Sequence, residues 1–257
     1  MVEGRYADEQ YVRFPALAAE LARPPIDVIV TLETAATRAV REITKTIPII
    51  FTTKRDPIGA GFVVSLARPG GNTTGVTIPR EGLNAKRLQL LQEVAPGISR
   101  IAVLWIDPVA WDQSQRAASA IGVDLRSYEI QTRGDINLVL DAALGWGADA
   151  ILLDSHSLFA TEARRIADFA VRHQLPVMSG AGAFPKAGGL IYYGPRVLDN
   201  FARAAYYVDR VLKGTDPADL PVEQPTTFDL MINLQTAQTL GLSIPQHVLL
   251  QATEIIQ

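Results

Sequence analysis

The sequence predicts an α/β protein built on parallel sheets, and three observations carry that prediction. Short β-branched runs alternate with longer amphipathic segments along the 257 residues. Most of these runs, such as DVIVT at 27–31 and RIAVLW at 100–105, are continuously apolar rather than alternating. That pattern suits strands covered on both faces. One unit also occurs twice. From Asp27 the chain reads DVIV-TLETAATRAVREITKT-IPIIF, and from Asp149 it reads DAILLDSHSLFATEARRIADFAVRHQ-LPVMS. Each is an Asp, an apolar strand, a polar loop, a helix and an apolar-Pro-apolar strand. These are equivalent βαβ units, and they predict two similar lobes.

The elements follow in order. Strands are expected at 27–31, 48–51, 73–77, 100–105, 124–130, 149–153, 175–178 and 189–193. Helices are expected near 9–22, 34–45, 58–67, 81–94, 109–121, 134–145, 160–173 and 196–213. The stretch SLARPGGNTTGVT at 65–77 reads as a helix ended by Pro69, a turn at Gly70-Gly71-Asn72, and a strand. The lobes are expected at 1–78 with about 195–228, and at 79–194 with about 229–257.

Composition excludes several classes. With 48% hydrophobic and 20% charged residues the chain is ordinary globular material. A net charge of −3 supplies no general field for nucleic acid or an anionic membrane. The absence of cysteine removes disulfides, zinc-thiolate sites and thiol catalysis. No apolar run approaches the roughly 18 residues of a membrane span. The polar opening MVEGRYADEQ is no signal peptide, so the chain taken literally reads as soluble and cytoplasmic.

Catalytic motifs fail one by one. Gly70 and Gly71 lead into a strand without the Lys and helix of a phosphate loop. The G-x-G pairs at Gly59/Gly61 and Gly180/Gly182 are followed by Val64 and Pro185 where the dinucleotide fingerprint needs glycine. His156, His173 and His247 lack metal-ligand spacing, so neither a metal nor a cofactor is expected. Ser155 and His156 are adjacent, and neighbours in an extended loop point apart. No enzyme activity is expected.

Ligands of parallel sheets sit outside the carboxyl ends of the strands. The loops there are TLETA at 31–35, TTKRDP at 52–57, DSHSLF at 154–159 and SGAGAF at 179–184, all polar or small. Two facing lobes holding a small molecule need loops of this kind.

Longer blocks carry a family resemblance. They include PALAAELA at 15–22, RDPIGAGFVVSLARPGGNTTGVT, AKRLQLLQEVAPGISRIAVLW, KAGGLIYYG and LKGTDPADLPVEQPTTFDLMINLQTAQTLGLSIP. In this order they resemble the ABC-transporter substrate-binding protein family related to tryptophan- and tyrosine-binding receptors. The likeness runs from about residue 5 to the C-terminus. It implies a type I periplasmic-binding-protein fold of two Rossmann-like lobes. It further implies an extracytoplasmic receptor that hands a small organic ligand, an aromatic amino acid or related compound, to an ABC permease. Members of the family differ in their ligand. Relatives also begin with a signal peptide and a strand–helix–strand before the part matched by VEGRYADEQYVRFPALAAEL. On this resemblance the first lobe lacks those elements and a central strand, and a dimer or swapped form is one consequence. A sensory module on the same fold and a non-functional remnant are the alternatives.

Strand ends then nominate the ligand-binding residues. In the first lobe they are Glu33, Thr34, Thr53 and Asp56. Thr34 begins a helix whose N–H groups suit a carboxylate, or it caps that helix. Asp56 is a counter-ion for an ammonium group, or it caps a helix after Pro57. Lys54 and Arg55 stand where relatives have small residues and suit an anion. In the second lobe the nominees are Trp105, Asp154, Ser155, Ser179 and Tyr193. Trp105 offers an indole face, or it is a core residue. Tyr193 contacts ligand through its hydroxyl, or it lines the crossing between lobes.

Overall fold

A computed structural model of the chain describes residues 1–8, 10–23, 25–53, 55–78 and 82–257, with the backbone alone at 120 and 197. The first elements are helix α1 (Phe14–Leu21), strand β1 (Ile29–Thr31), α2 (Thr34–Ile43), β2 (Ile49–Thr53) and β3 (Thr73–Thr77). There follow α3 (Leu83–Val94), β4 (Arg100–Trp105), α4 (Pro108–Ile121), β5 (Asp124–Glu129), α5 (Asp135–Trp146) and β6 (Ala150–Leu153). Next come α6 (Ser157–Thr161), α7 (Ala163–Arg172), β7 (Val177–Ser179), β8 (Ile191–Pro195) and α8 (Val197–Leu212). The chain ends with β9 (Phe228–Asn233), α9 (Leu234–Thr239), α10 (Gln246–Leu249) and β10 (Glu254–Ile256).

Contacts group the chain into two compact units. One is Met1–Pro79 with Pro195–Thr227, and the other is Arg80–Gly194 with Phe228–Gln257. The first unit holds a three-stranded sheet in the order β1-β2-β3. All of its pairs are parallel, in registers that set Ile29 beside Ile49 and Thr53 beside Thr77. Helices α1 and α2 cover one side through Ala18, Ala39 and Val40. Helix α8 covers Ile50 and Val76 through Ala204 and Tyr207. Arg203 on α8 makes a bidentate ion pair with Glu223, and its guanidinium lies 4.1 Å from the Tyr206 ring centre. Glu223 in turn accepts the N–H of Thr77 at its backbone carbonyl, 2.8 Å away. The 195–227 segment is thereby tied to the end of β3.

The second unit holds a seven-stranded sheet in the order β10-β9-β8-β7-β6-β4-β5. Residues of β4, β6 and β7 alternate strictly between two cores. Ala102, Leu104, Ile151, Leu153 and Val177 pack against α5 and α7. Ile101, Val103, Ala150, Leu152 and Met178 pack against α3. A period of two with both faces apolar explains why these strands read as unbroken hydrophobic runs. The two βαβ units read from the sequence are β1-α2-β2 and β6-α6/α7-β7, and both close with parallel pairing.

Two expectations are corrected. No helix forms at 58–67. Both carboxylate oxygens of Asp56 accept backbone N–H groups, from Ile58 and Gly59, and Gly61 takes a left-handed φ of 72°. The Pro57 carbonyl then accepts from Phe62 and Val63, which closes turns instead of a helix. Pro69 therefore ends no helix; its carbonyl accepts from Val64 N at 2.8 Å. The turn at Gly70 and Gly71 does form, with φ values of 67° and 82°. The second correction is in the tail, where β9, α9, α10 and β10 were not foreseen.

Asp149, the leading Asp of the second βαβ unit, shows what such a residue does. Its Oδ2 accepts from Ser99 N, Ser99 Oγ and Arg100 N at 2.9–3.0 Å, so the carboxylate fastens the start of β4 beside β6. Burial pushes its carboxyl upward, but the N–H groups of Arg100 and Ser99 outweigh this and hold it below the ordinary range. A depressed acid stabilises the fold above its unfolded pKa of about 3.9 and loses that contribution as pH falls through the folded value. Replacement Asp149→Ala is expected to lower stability near neutral pH by about 1 kcal/mol, the solvent-screened value of such bonds. Urea unfolding at neutral and acid pH checks this. The gap between wild type and variant should shrink below about pH 4; a pH-independent gap removes the carboxylate as its cause.

Candidate functional site

Parallel register determines which side chains meet at the carboxyl edge of the second sheet. Leu104 pairs with Leu153, Leu153 with Ser179, and Ser179 with Tyr192. The next row is therefore Trp105, Asp154, Gly180 and Tyr193. Backbone bonds from Asp154 N to Leu104 O and from Gly180 N to Leu153 O, each 3.0 Å, carry the pairing that far. This row faces α3, as Ile101, Leu152, Met178 and Ile191 do.

A residue that sequence reasoning missed completes the row. Arg87 lies on the buried face of α3 and is only 2% exposed. Its Nε donates to Tyr193 O at 2.8 Å and its Nη1 to Asn84 Oδ1 at 2.9 Å. Gly180 makes room for it: a Cβ there would stand 3.0 Å from the guanidinium and 2.9 Å from Ser155 N. The signal was present in AKRLQLLQEV. Arg87 falls four residues after Leu83 and four before Leu91, on a buried helix stripe whose one other polar member is Asn84. A cation at such a position needs a buried polar environment.

The nominated residues of this unit divide by face. Asp154 is 4% exposed, and its Oδ1 accepts from Ser155 N at 2.6 Å. Trp105 is half-buried. Its indole N–H donates to Ser127 Oγ at 2.7 Å, which orients the ring across β5. Tyr193 stacks on Phe228, with ring centres 5.8 Å apart and planes 19° from parallel. These three share the Arg87 face. Ser179 does not: it lies one residue earlier, on the opposite face, fully buried, with its Oγ accepting from Ala181 N at 3.0 Å. Beside it, burial pushes the Tyr192 hydroxyl up to about 12, Arg87 pulling against this and Asp229 adding to it. Burial raises Tyr193 as well, again opposed by Arg87. Both phenols are neutral hydroxyls at physiological pH. His156 caps α6, its Nδ1 accepting from Leu158 N at 3.2 Å.

In the first unit the carboxyl edge is a cluster of hydroxyls. Thr34 Oγ1 and Thr53 Oγ1 are 2.6 Å apart, and Thr53 Oγ1 also accepts from Arg55 N at 3.2 Å. Thr31 and Thr37 hydroxyls meet at 2.8 Å one turn away. Glu33 stands at the N-cap of α2, exposed and without a side-chain capping bond. Asp56 is exposed and engaged in its own turn. Thr34 and Thr53 are thus brought together, and Glu33 adjoins them. Lys54 lies outside the described residues. Among the described residues no group of three or more His, Asp or Glu side chains is placed to hold a metal. None of the helices described is long and apolar enough to cross a membrane.

Two parallel α/β units with polar carboxyl edges, connected by three passages of the chain, define the type I periplasmic-binding-protein class. A family model described as ABC transporter substrate binding protein matches residues 5–256, and the chain belongs to that family. It is similar to a tyrosine-binding protein of Clostridioides difficile (strain R20291), at 24% identity over 233 residues. That match covers 88% of this chain and 66% of the relative, so the chain spans just under two thirds of the relative's length. Among solved structures it resembles an ABC domain from Streptococcus pneumonia in complex with L-Trp, with TM-score 0.88 and 25% identity, covering 97% of this chain and 85% of that one. A conserved domain protein from Vibrio cholerae O1 biovar El Tor also gives TM-score 0.88, at 26% identity, covering 98% and 86%.

The fit of Arg87 against Gly180 is open to test. Gly180→Ala is expected to cost about 1–3 kcal/mol, because the new methyl meets backbone as well as the guanidinium. Gly145→Ala on α5, where a methyl meets nothing within 4 Å, is expected to be neutral or stabilising by about 0.5–1 kcal/mol. Thermal melts of the two variants compare them directly, and equal melting temperatures would remove the close-packing argument.

Proposed function

We propose that the chain is the substrate-binding component of an ABC-type importer and that it binds an aromatic amino acid or a close relative. The single observation that carries this is the row Trp105–Asp154–Gly180–Tyr193 with Arg87 seated beside it. The row sets a buried carboxylate and a buried guanidinium next to aromatic faces. An amino-acid ammonium group suits Asp154 in a low-dielectric setting. A flat side chain suits Trp105, Tyr193 and Phe228. A ligand carboxylate suits the Thr34 and Thr53 hydroxyls and the N-terminal N–H groups of α2. The tyrosine-binding relative and the L-Trp complex support this ligand class.

In this proposal both units contribute contacts, and ligand raises the population of a closed form. The closed form is what a permease partner reads. The protein acts outside the cytoplasm, as the importer role requires. Binding and release involve no covalent chemistry, and the Ser179 hydroxyl holds the backbone at Ala181.

Calorimetry with L-tryptophan, L-tyrosine, L-leucine and 4-hydroxybenzoate tests the ligand class. The two aromatic amino acids are expected to bind most tightly, and a saturating one at 100 times its dissociation constant should add about 2.7 kcal/mol to stability. Replacement Asp154→Asn keeps the shape and removes the charge. It is expected to weaken the amino acids at least about tenfold, or roughly 1.4 kcal/mol, and to leave 4-hydroxybenzoate, which has no ammonium group, unchanged. Equal affinity in wild type and variant would take Asp154 out of the site.

A further inference from the structure

The second unit carries a basic groove that the ligand row does not use. It has a volume of about 500 Å³ and is lined by Arg133, Arg164, Arg165 and Arg172 with Glu162 and Asp168. Four guanidiniums face two carboxylates there, in a chain whose net charge is −3. The groove is organised around one buried acid. The Glu162 side chain is 2% exposed; its Oε1 lies 2.5 Å from Arg133 Nε and its Oε2 lies 3.2 Å from Arg165 Nη1. Arg165 Nε also donates to Asn137 Oδ1 at 2.8 Å. Asp168 is engaged by Arg164 at 3.0 Å. Both carboxylates are thus paired, and with the Arg133 and Arg164 side chains 70% and 77% exposed and Arg172 exposed beside them, a surplus of positive charge faces solvent. Arg133 follows β5 and Glu162 opens α7 after β6, so the groove begins at the same carboxyl edge of the sheet as the ligand row.

We propose that this groove docks an acidic segment of a protein partner. Guanidiniums held by a buried carboxylate lose little side-chain freedom when they take a second carboxylate, which favours paired recognition of clustered Asp or Glu. A concave surface of this size fits a chain segment. A lipid headgroup layer is flat, and the net negative charge of the protein repels an anionic one. Assigning the segment to an importer's membrane partner rests on the function proposed above; the capacity of the groove for an acidic segment does not.

The test uses a fluorescent hexaglutamate peptide, a glycine–serine peptide of equal length, and vesicles containing phosphatidylserine. Wild type is expected to capture hexaglutamate and not the neutral peptide, with affinity falling as salt rises. The variant Arg164→Glu/Arg172→Glu changes exposed residues and should fold normally; it should lose at least about tenfold in capture. Arg133→Gln in a Glu162→Gln background, which leaves no buried charge unpaired, should lose a similar factor. L-Tryptophan titrations of all three proteins should coincide. Failure of wild type to bind hexaglutamate, full retention by the Arg164→Glu/Arg172→Glu variant, or preference for the vesicles overturns the proposal. Peptide capture that tracks the arginines while tryptophan fails to bind upholds the groove and sinks the ligand assignment instead.

Discussion

Parallel pairing obliges every strand of a sheet to end on one edge, and the functional reading of this protein depends on that constraint. Trp105, Asp154, Gly180 and Tyr193 are spread over nearly ninety residues of chain. They form one row because β4, β6, β7 and β8 run the same way in a fixed register. A slip of one residue would exchange them for Leu104, Leu153, Ser179 and Tyr192, of which Leu104 and Leu153 belong to the other core. Two apolar cores make such a slip costly on both faces at once. The chemistry of the edge is therefore held by the same burial that holds the sheet.

Gly180 and Arg87 show how a charge is accommodated inside that arrangement. A guanidinium cannot lie against a sheet whose every position carries a side chain. The missing Cβ at Gly180 opens the place, and Tyr193 O and Asn84 Oδ1 satisfy two of the donors. Asn84 is itself fixed, donating to Ala110 O at 3.0 Å and Ser114 Oγ at 2.9 Å. The cation thus belongs to a network reaching from α3 into α4. Through its bond to Tyr193 O it ties that network to the backbone of the residue that stacks on Phe228.

The sheet was legible in the sequence because strands buried on two faces leave continuous apolar runs, as in RIAVLW and DAILL. Asp154 was legible for a related reason, since a polar residue directly after such a run lies at the carboxyl edge. Legibility failed where local signals compete. At 58–67 the apolar residues Phe62, Val63 and Val64 mimic a helix, while Asp56, Gly59 and Gly61 close turns. In the tail, α9 and α10 are short, and β9 begins with half-buried residues before its apolar run. Arg87 was hidden by the opposite effect. A helix rich in Leu and Gln reads as ordinary amphipathic surface, and only its phase relative to Leu83 and Leu91 places the guanidinium inside. The face of Ser179 follows from register with β6 and β8, which no single segment encodes.

The two charged regions of the second unit differ in how burial positions their charge. In the row proposed to bind ligand, Arg87 and Asp154 are themselves buried, so they act at short range in a medium of low polarisability, where added salt screens little. In the groove only Glu162 is buried, and the arginines it holds extend to solvent. Their field reaches about a Debye length, near 8 Å at physiological ionic strength, and weakens as salt rises. Close-range, salt-insensitive charge suits selection of a small zwitterion by shape and charge together. Longer-range, screened charge suits approach and orientation of a macromolecule. Both regions begin at the carboxyl edge of the same sheet, and because α3 covers one face and α7 the other, each can be altered without repacking its counterpart.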